Sequence, residues 1–218
     1  MRLVSVNCGL PREVDWHGRS VSTSIYKTPV AGRVALRTLN LDGDRQADLS
    51  VHGGKDKAVY CYPVEHYDYW KAELSRSELP MGAFGENFTV EGLDESRLFI
   101  GERFSIGSAE VVVTQPRMPC FKLGIRFGYD PIIKDFLRSG RTGFYMAVTR
   151  EGEVAADDEV VRLSRPSDSV SVSEITQLYV AKQFAQEDLK MMRRTLNIDA
   201  LPEGWKDYFE DKLRRLGA

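Results

Sequence analysis

The sequence predicts an α+β protein, with a β-barrel-like domain over residues 1–165 followed by a small three-helix module over residues 166–218. Three observations carry that expectation. Short β-branched and apolar runs separated by glycine turns recur as far as Leu163, which is the rhythm of a small barrel. A stretch of Ser, Arg, Pro and Asp from Ser164 to Ser169 then breaks the pattern as a linker would. Beyond it, apolar residues return at helical spacing. With 218 residues, 42% of them hydrophobic, the chain can bury one main core and an appendage.

Arg2 to Val6 reads as a strand ended by Gly9 and Pro11, and Asp15 to Ser24 reads as a loop. From Ile25 to Leu41, Lys27, Arg33 and Arg37 alternate loosely with Val30, Val34, Leu36 and Leu39. This suggests strands with one basic face, either solvated or turned toward an anion. The stretch from Leu41 to Lys57 is polar, glycine-rich and aspartate-rich, and no hydrophobic periodicity explains it. Within it, backbone N–H groups at Gly53 and Gly54 can approach an anion that Lys55 or Lys57 neutralises, with His52 beside them as a proton or hydrogen-bond donor. The alternative is a hairpin turn capped by the histidine.

Ala58 to Tyr62 reads as a buried strand. Pro63 then opens a helix through Leu74, with Val64, Tyr67, Trp70 and Leu74 on its apolar stripe and His66 on the solvent side. Asn87 stands among apolar residues, where its amide either supports a turn or meets a ring heterocycle. Leu98 to Ile106 and Ala109 to Thr114 read as strands that lead toward Cys120. Asp130 and Pro131 start a helix that Gly140 ends, and Arg141 and Thr142 stand at the mouth of the next strand as a second candidate anion contact. A strand near Glu159 to Leu163 closes this part. The tail reads as helices over Val172 to Val180, Gln186 to Leu196 and Pro202 to Leu216, too little for a core of their own.

A net charge of −2 gives no overall attraction to nucleic acid or to a membrane surface. The apolar start at Met1 to Val6 is too short for a signal peptide, and no run approaches the ~20 apolar residues of a membrane span, so a cytoplasmic location is expected. Cys8, Cys61 and Cys120 are odd in number and widely spaced, which argues against a disulfide framework and a structural zinc site.

Cys120 is the focus of the chain. It lies in Gln115-Pro116-Arg117-Met118-Pro119-Cys120-Phe121-Lys122-Leu123, where two prolines fix the backbone that aims the thiol. Arg117 and Lys122 flank it, and cationic neighbours favour the thiolate that binds a metal or attacks sulfur. The alternative is a small buried hydrophobe.

That segment, together with Leu41-Asp42-Gly43-Asp44-Arg45-Gln46-Ala47-Asp48, His52-Gly53-Gly54-Lys55-Asp56-Lys57-Ala58-Val59 and Gly82-Ala83-Phe84-Gly85-Glu86-Asn87, resembles MOSC-domain proteins of the YiiM type. The resemblance implies that the chain binds the molybdenum cofactor, Mo-molybdopterin, through Cys120 as metal ligand. It also implies reduction of N-hydroxylated compounds, including hydroxylamino base analogues such as 6-hydroxylaminopurine, with electrons from a separate flavin- or haem-containing reductase. Molybdopterin brings dithiolene sulfurs, a pterin ring and a phosphate, so its holder needs a soft thiolate, polar ring contacts and an anion site. Candidates for those contacts are Lys27, Arg33, Gly53, Gly54, Lys55, Asn87, Gln115, Lys122, Arg141 and Thr142, with His52, Asp48 and Arg117 positioning or protonating the substrate. A competing reading makes Cys120 a persulfide carrier that delivers sulfur to metal centres. A third makes the chain a non-catalytic scaffold, and a dimer is left open.

Overall fold

The computed structural model describes residues 1–48 and 53–217. In chain order the strands and helices begin with β1 (Arg2–Cys8), the hairpin β2 (Arg12–Trp16) and β3 (Arg19–Thr23), then β4 (Thr28–Pro29) and β5 (Val34–Leu36). A single 3-10 turn at Lys55–Lys57 precedes β6 (Val59–Pro63), α1 (His66–Glu73), β7 (Phe88–Glu91), β8 (Arg103–Ile106) and β9 (Ala109–Pro116). After these come α2 (Phe121–Phe127), α3 (Ile132–Ser139), β10 (Phe144–Arg150), β11 (Gly152–Val154) and β12 (Val160–Ser164). The tail holds α4 (Val172–Val180), α5 (Gln186–Thr195) and α6 (Glu203–Leu216).

The main sheet has eight strands in the order β12-β8-β9-β10-β6-β7-β1-β4. It is mixed, because β6 and β7 run parallel while the other pairs are antiparallel. The expected β-barrel is therefore corrected to an α+β fold built on an open sheet with two ends, β12 and β4. Near those ends an isolated bridge, Arg2 to Glu159, and three backbone hydrogen bonds, from Leu3 N to Asp158 O, Asp157 N to Leu3 O and Val160 N to Met1 O, reach across without making a continuous ladder. Strand count is legible in a rhythm of turns, whereas closure depends on tilt and register shared by every strand, which no local pattern carries.

Residues Asp15 to Ser24 are not a loop either, because most of them belong to the β2–β3 hairpin. His17 and Gly18 form its tip with φ of 53° and 73°, the two positive values a tight two-residue hairpin turn requires. His66 is another correction. It is buried, and its Nε2 lies 2.7 Å from Glu95 Oε2. The apolar stripe of α1 identified one packed face, but the loop bearing Glu95 covers the other.

One hydrophobic cluster joins Val111, Val113 and Phe144 of the sheet to Val172, Ile175, Met192, Phe209 and Leu213 of the tail helices. The helices thus bury their apolar stripes against the sheet, as their small size demands. α4 starts at a capping box in which Glu174 N donates to Ser171 Oγ at 3.1 Å and Ser171 N donates to Glu174 Oε2 at 2.6 Å. A second cluster of Tyr62, Tyr67, Trp70, Phe84, Leu123 and Phe136 packs α1, α2 and α3 together and supports the loop that carries Cys120.

Candidate functional site

At the end of β9 the chain turns through the two prolines, and Cys120 takes up an extended conformation (φ −119°, ψ 170°) immediately before α2. Its thiol is half-buried and not in a disulfide. It lines a cleft of about 660 Å³, measured out to its open mouth. Lys27, Lys57, Arg117 and Lys122 line the same cleft, against one carboxylate, Asp44. The excess of cations suits an anionic ligand.

Arg117 is only 5% exposed. Its guanidinium carbon lies 5.2 Å from the Tyr60 ring centre and 5.3 Å from that of Phe136. Burial works against its charge, but Tyr60, Tyr145 and Cys120 around it outweigh burial and hold it above its ordinary value. Burial pushes the Tyr60 and Tyr145 phenols up, Arg117 opposing it, so both stay neutral near pH 7. Among the described residues two buried side-chain atoms have no hydrogen-bond partner, Arg117 Nη1 and Ser24 Oγ, and both residues line this cleft. Buried polar groups are ordinarily paired, so two orphans in one cleft mark where a ligand's acceptors would sit.

Lys27 and Asn87 reach the cleft with their polar atoms already engaged. Lys27 Nζ is paired with Asp44 Oδ1, which also accepts from Gly9 N at 2.8 Å. Asn87 Nδ2 donates to Asp44 Oδ2 at 2.9 Å, and its Oδ1 accepts from Tyr60 N at 3.2 Å. Gly53 and Lys122 line the cleft, whereas Gly54 and Lys55 are exposed. Gln115 is buried beside it, with Nε2 donating to Asp56 O at 3.3 Å and Oε1 accepting from Trp205 Nε1 at 2.9 Å.

Arg141 and Thr142 do not line the cleft; their carbonyls accept from Tyr62 Oη at 3.0 Å and Tyr60 Oη at 2.9 Å and so hold those rings. Arg33 lies elsewhere, in a two-pronged pair with Asp158 at 3.0 and 3.2 Å. Asp48 is half-buried and outside the cleft lining, and His52 lies outside the described residues. Sequence reasoning missed Ser24, Asp44, Tyr60 and Tyr145 as cleft residues. Asp44 stood inside the polar stretch, but its partners come from far along the chain.

Among the described residues no group of three or more His, Cys, Asp and Glu side chains could hold a bare metal ion. A metal here would have to arrive with most of its ligands and take one more from the Cys120 thiolate. A soft thiol, a cationic lining and two orphaned polar atoms fit the molybdenum cofactor in that sense. No helix of the described residues is long and apolar enough to cross a membrane.

Comparison with known proteins gives two family models, the MOSC domain over residues 48–161 and the YiiM-like 3-alpha helix domain over residues 170–216. The chain is 40% identical over 214 residues to YflK of Bacillus subtilis (strain 168), covering 98% of this chain and 95% of that protein. It is 32% identical over 171 residues to a protein named Reductase from Gibberella moniliformis (strain M3125 / FGSC 7600), a match that covers 77% of this chain but 30% of that protein. The crystal structure of YiiM from Geobacillus stearothermophilus superposes with a TM-score of 0.80 at 32% identity, covering 97% of this chain and 98% of that one. The chain therefore belongs to the MOSC-domain family, in its YiiM-like branch, a family associated with molybdenum cofactor chemistry.

Proposed function

We propose that the protein is a molybdenum-cofactor-dependent reductase of N-hydroxylated compounds, among them hydroxylamino base analogues such as 6-hydroxylaminopurine. The observation that carries this reading is the Cys120 thiol in one cationic cleft with the orphaned Arg117 Nη1 and Ser24 Oγ. When bound, the cofactor would supply the two-electron reduction and the oxygen acceptor.

The chain's own residues do the rest. Cys120 anchors the metal, while Arg117 and Lys122 attract and hold anionic oxygens. Ser24 Oγ offers a hydrogen bond to a polar edge of the ligand. Tyr145 lines the cleft and holds a proton at its hydroxyl beside Arg117 and Cys120, so it takes the protonating role for which His52, Asp48 and Arg117 were the expected candidates. Electrons come from a separate flavin- or haem-containing reductase. The name of the relative called Reductase, of which this chain matches 30%, supports the reductive character of the reaction.

The test is to express wild type and Cys120→Ser in a host that makes the cofactor, purify both without oxygen, and measure molybdenum and pterin on the same samples. Near-stoichiometric metal and pterin in the wild type, with metal lost from the variant, is expected. Equal molybdenum in both removes Cys120 as ligand. Sulfur released to cyanide by a metal-free wild type alone, after reconstitution has been attempted, replaces this reading with persulfide transfer.

A further inference from the structure

A second cavity, a groove of about 750 Å³ out to its mouth, runs between the 3-10 turn after Gly54 and helices α4 and α6, and it meets the Cys120 cleft at Gly53 and Lys57. Its outer wall is aromatic. Tyr179, Trp205 and Tyr208 meet with ring centres 5.6 Å (Tyr179 to Trp205), 5.4 Å (Tyr179 to Tyr208) and 6.1 Å (Trp205 to Tyr208) apart. Trp205 is fixed in its plane, because Nε1 donates to Gln115 Oε1 at 2.9 Å and its ring stacks on Phe209 at 5.8 Å. Tyr179, by contrast, is 39% exposed.

The rings inside the cleft offer less. Tyr60 lies against Arg117 at 5.2 Å and Tyr145 at 5.4 Å, and Phe84 is stacked on Tyr62 at 4.4 Å. Their faces are largely taken by one another. A flat substrate that reacts at the thiol end of the cleft finds its free π-surface next door.

We propose that this groove is the ring-binding subsite for substrate: a planar, nucleobase-like heteroaromatic ring stacks on Tyr179, backed by Trp205 and Tyr208, while its N-hydroxyl group reaches past Gly53 and Lys57 toward Cys120. The proposal rests on the reductase reading above and adds to it a separate place for the substrate's ring and the residues that hold it. Stacking on an aromatic side chain tolerates any base, so the subsite would admit purine and pyrimidine analogues alike. The three-helix module then has a role, because α4 and α6 supply all three rings.

Two measurements test this. Adenine, a ring without the N-hydroxyl group, is titrated calorimetrically into full-length wild type, Tyr179→Leu, Tyr179→Phe and Cys120→Ser. The cofactor-loaded forms of the first three are assayed on 6-hydroxylaminopurine and on acetohydroxamic acid, which carries N–OH without a ring. Tyr179→Leu is expected to weaken adenine about tenfold and to lower the ratio of kcat/KM for the purine over the hydroxamate by a similar factor, through KM. Tyr179→Phe is expected to restore both, and Cys120→Ser to bind adenine as wild type does.

The proposal is overturned if wild type does not bind adenine, or if binding fails in Cys120→Ser but persists in Tyr179→Leu. An equal loss on both substrates also overturns it, pointing to a structural role or to docking of the electron donor. The adenine titration needs no cofactor and the molybdenum content needs no ring, so failure of the groove and failure of the reductase reading are read separately.

Discussion

Asp44 Oδ2 accepts a hydrogen bond from Asn87 Nδ2 at 2.9 Å while its other oxygen pairs with Lys27, which places one buried carboxylate between a cation and an amide on the wall of the cleft. Removing the carboxylate leaves Lys27 charged, buried and alone. Asp44→Ala is expected to cost about 3–5 kcal/mol in urea unfolding, and Asp44→Asn distinctly less, because the second keeps acceptor and shape. Equal losses would show that the charge on Asp44, which both variants remove, carries the whole contribution, and that acceptor and shape add nothing to it.

Arg117 presents the opposite case, a buried cation with an unpartnered N–H. Arg117→Met keeps much of the apolar contact with Tyr60 and Phe136 and removes the orphan, so unfolding of the cofactor-free protein should change by less than about 1.5 kcal/mol. Retention of molybdenum and pterin should fall by about tenfold or more, the loss of one charge-assisted hydrogen bond. A large loss of stability with full cofactor content would reverse the assignment.

The three thiols differ in environment. Burial pushes Cys8 up to about 11 and Cys61 well above its ordinary value, while Cys120 is half-buried in an open cleft. At pH 8 about one Cys8 in a thousand is a thiolate. Limited iodoacetamide treatment of the native protein at pH 8 should therefore mark Cys120 first, read by peptide mass spectrometry. Alkylation at Cys61 before Cys120 would contradict the packing described.

Glu86 is fully buried, and burial raises its carboxyl above 4.5 although Tyr67, Gly82 and Thr89 donate to it and pull the other way. The folded state then binds this proton more tightly than the unfolded chain does. Its contribution to stability is complete below pH 4.5 and is lost as pH rises through the higher folded value. Wild type should thus lose ground relative to Glu86→Gln as urea unfolding is repeated from pH 4.5 upward. A wild-type advantage that grows with pH would mean that these hydrogen bonds outweigh burial.

Local signals were legible and distant ones were not. α4 occupies Val172–Val180, the span its periodicity indicated, because the Ser171 capping box and the apolar spacing lie within a dozen residues. Gly140 ends α3 at φ 68° for the same kind of reason. The proline-framed segment drew attention to Cys120, and the structure places that thiol in a cleft. Nothing local could reveal that Asp44 would bridge Lys27 and Asn87, 17 and 43 residues away, or that His66 would face Glu95 across 29. An open sheet reads as a barrel for the same reason.

The bond from Trp205 to Gln115 spans 90 residues, and Gln115 stands five positions before the thiol. On a ribosome, the strand that carries Gln115 is made first, and the donor for its amide oxygen emerges only 90 residues later, with α6. The neighbourhood of Cys120 is completed only once α6 has been translated, so a nascent or truncated protein lacking α6 presents the cysteine without the wall that belongs beside it.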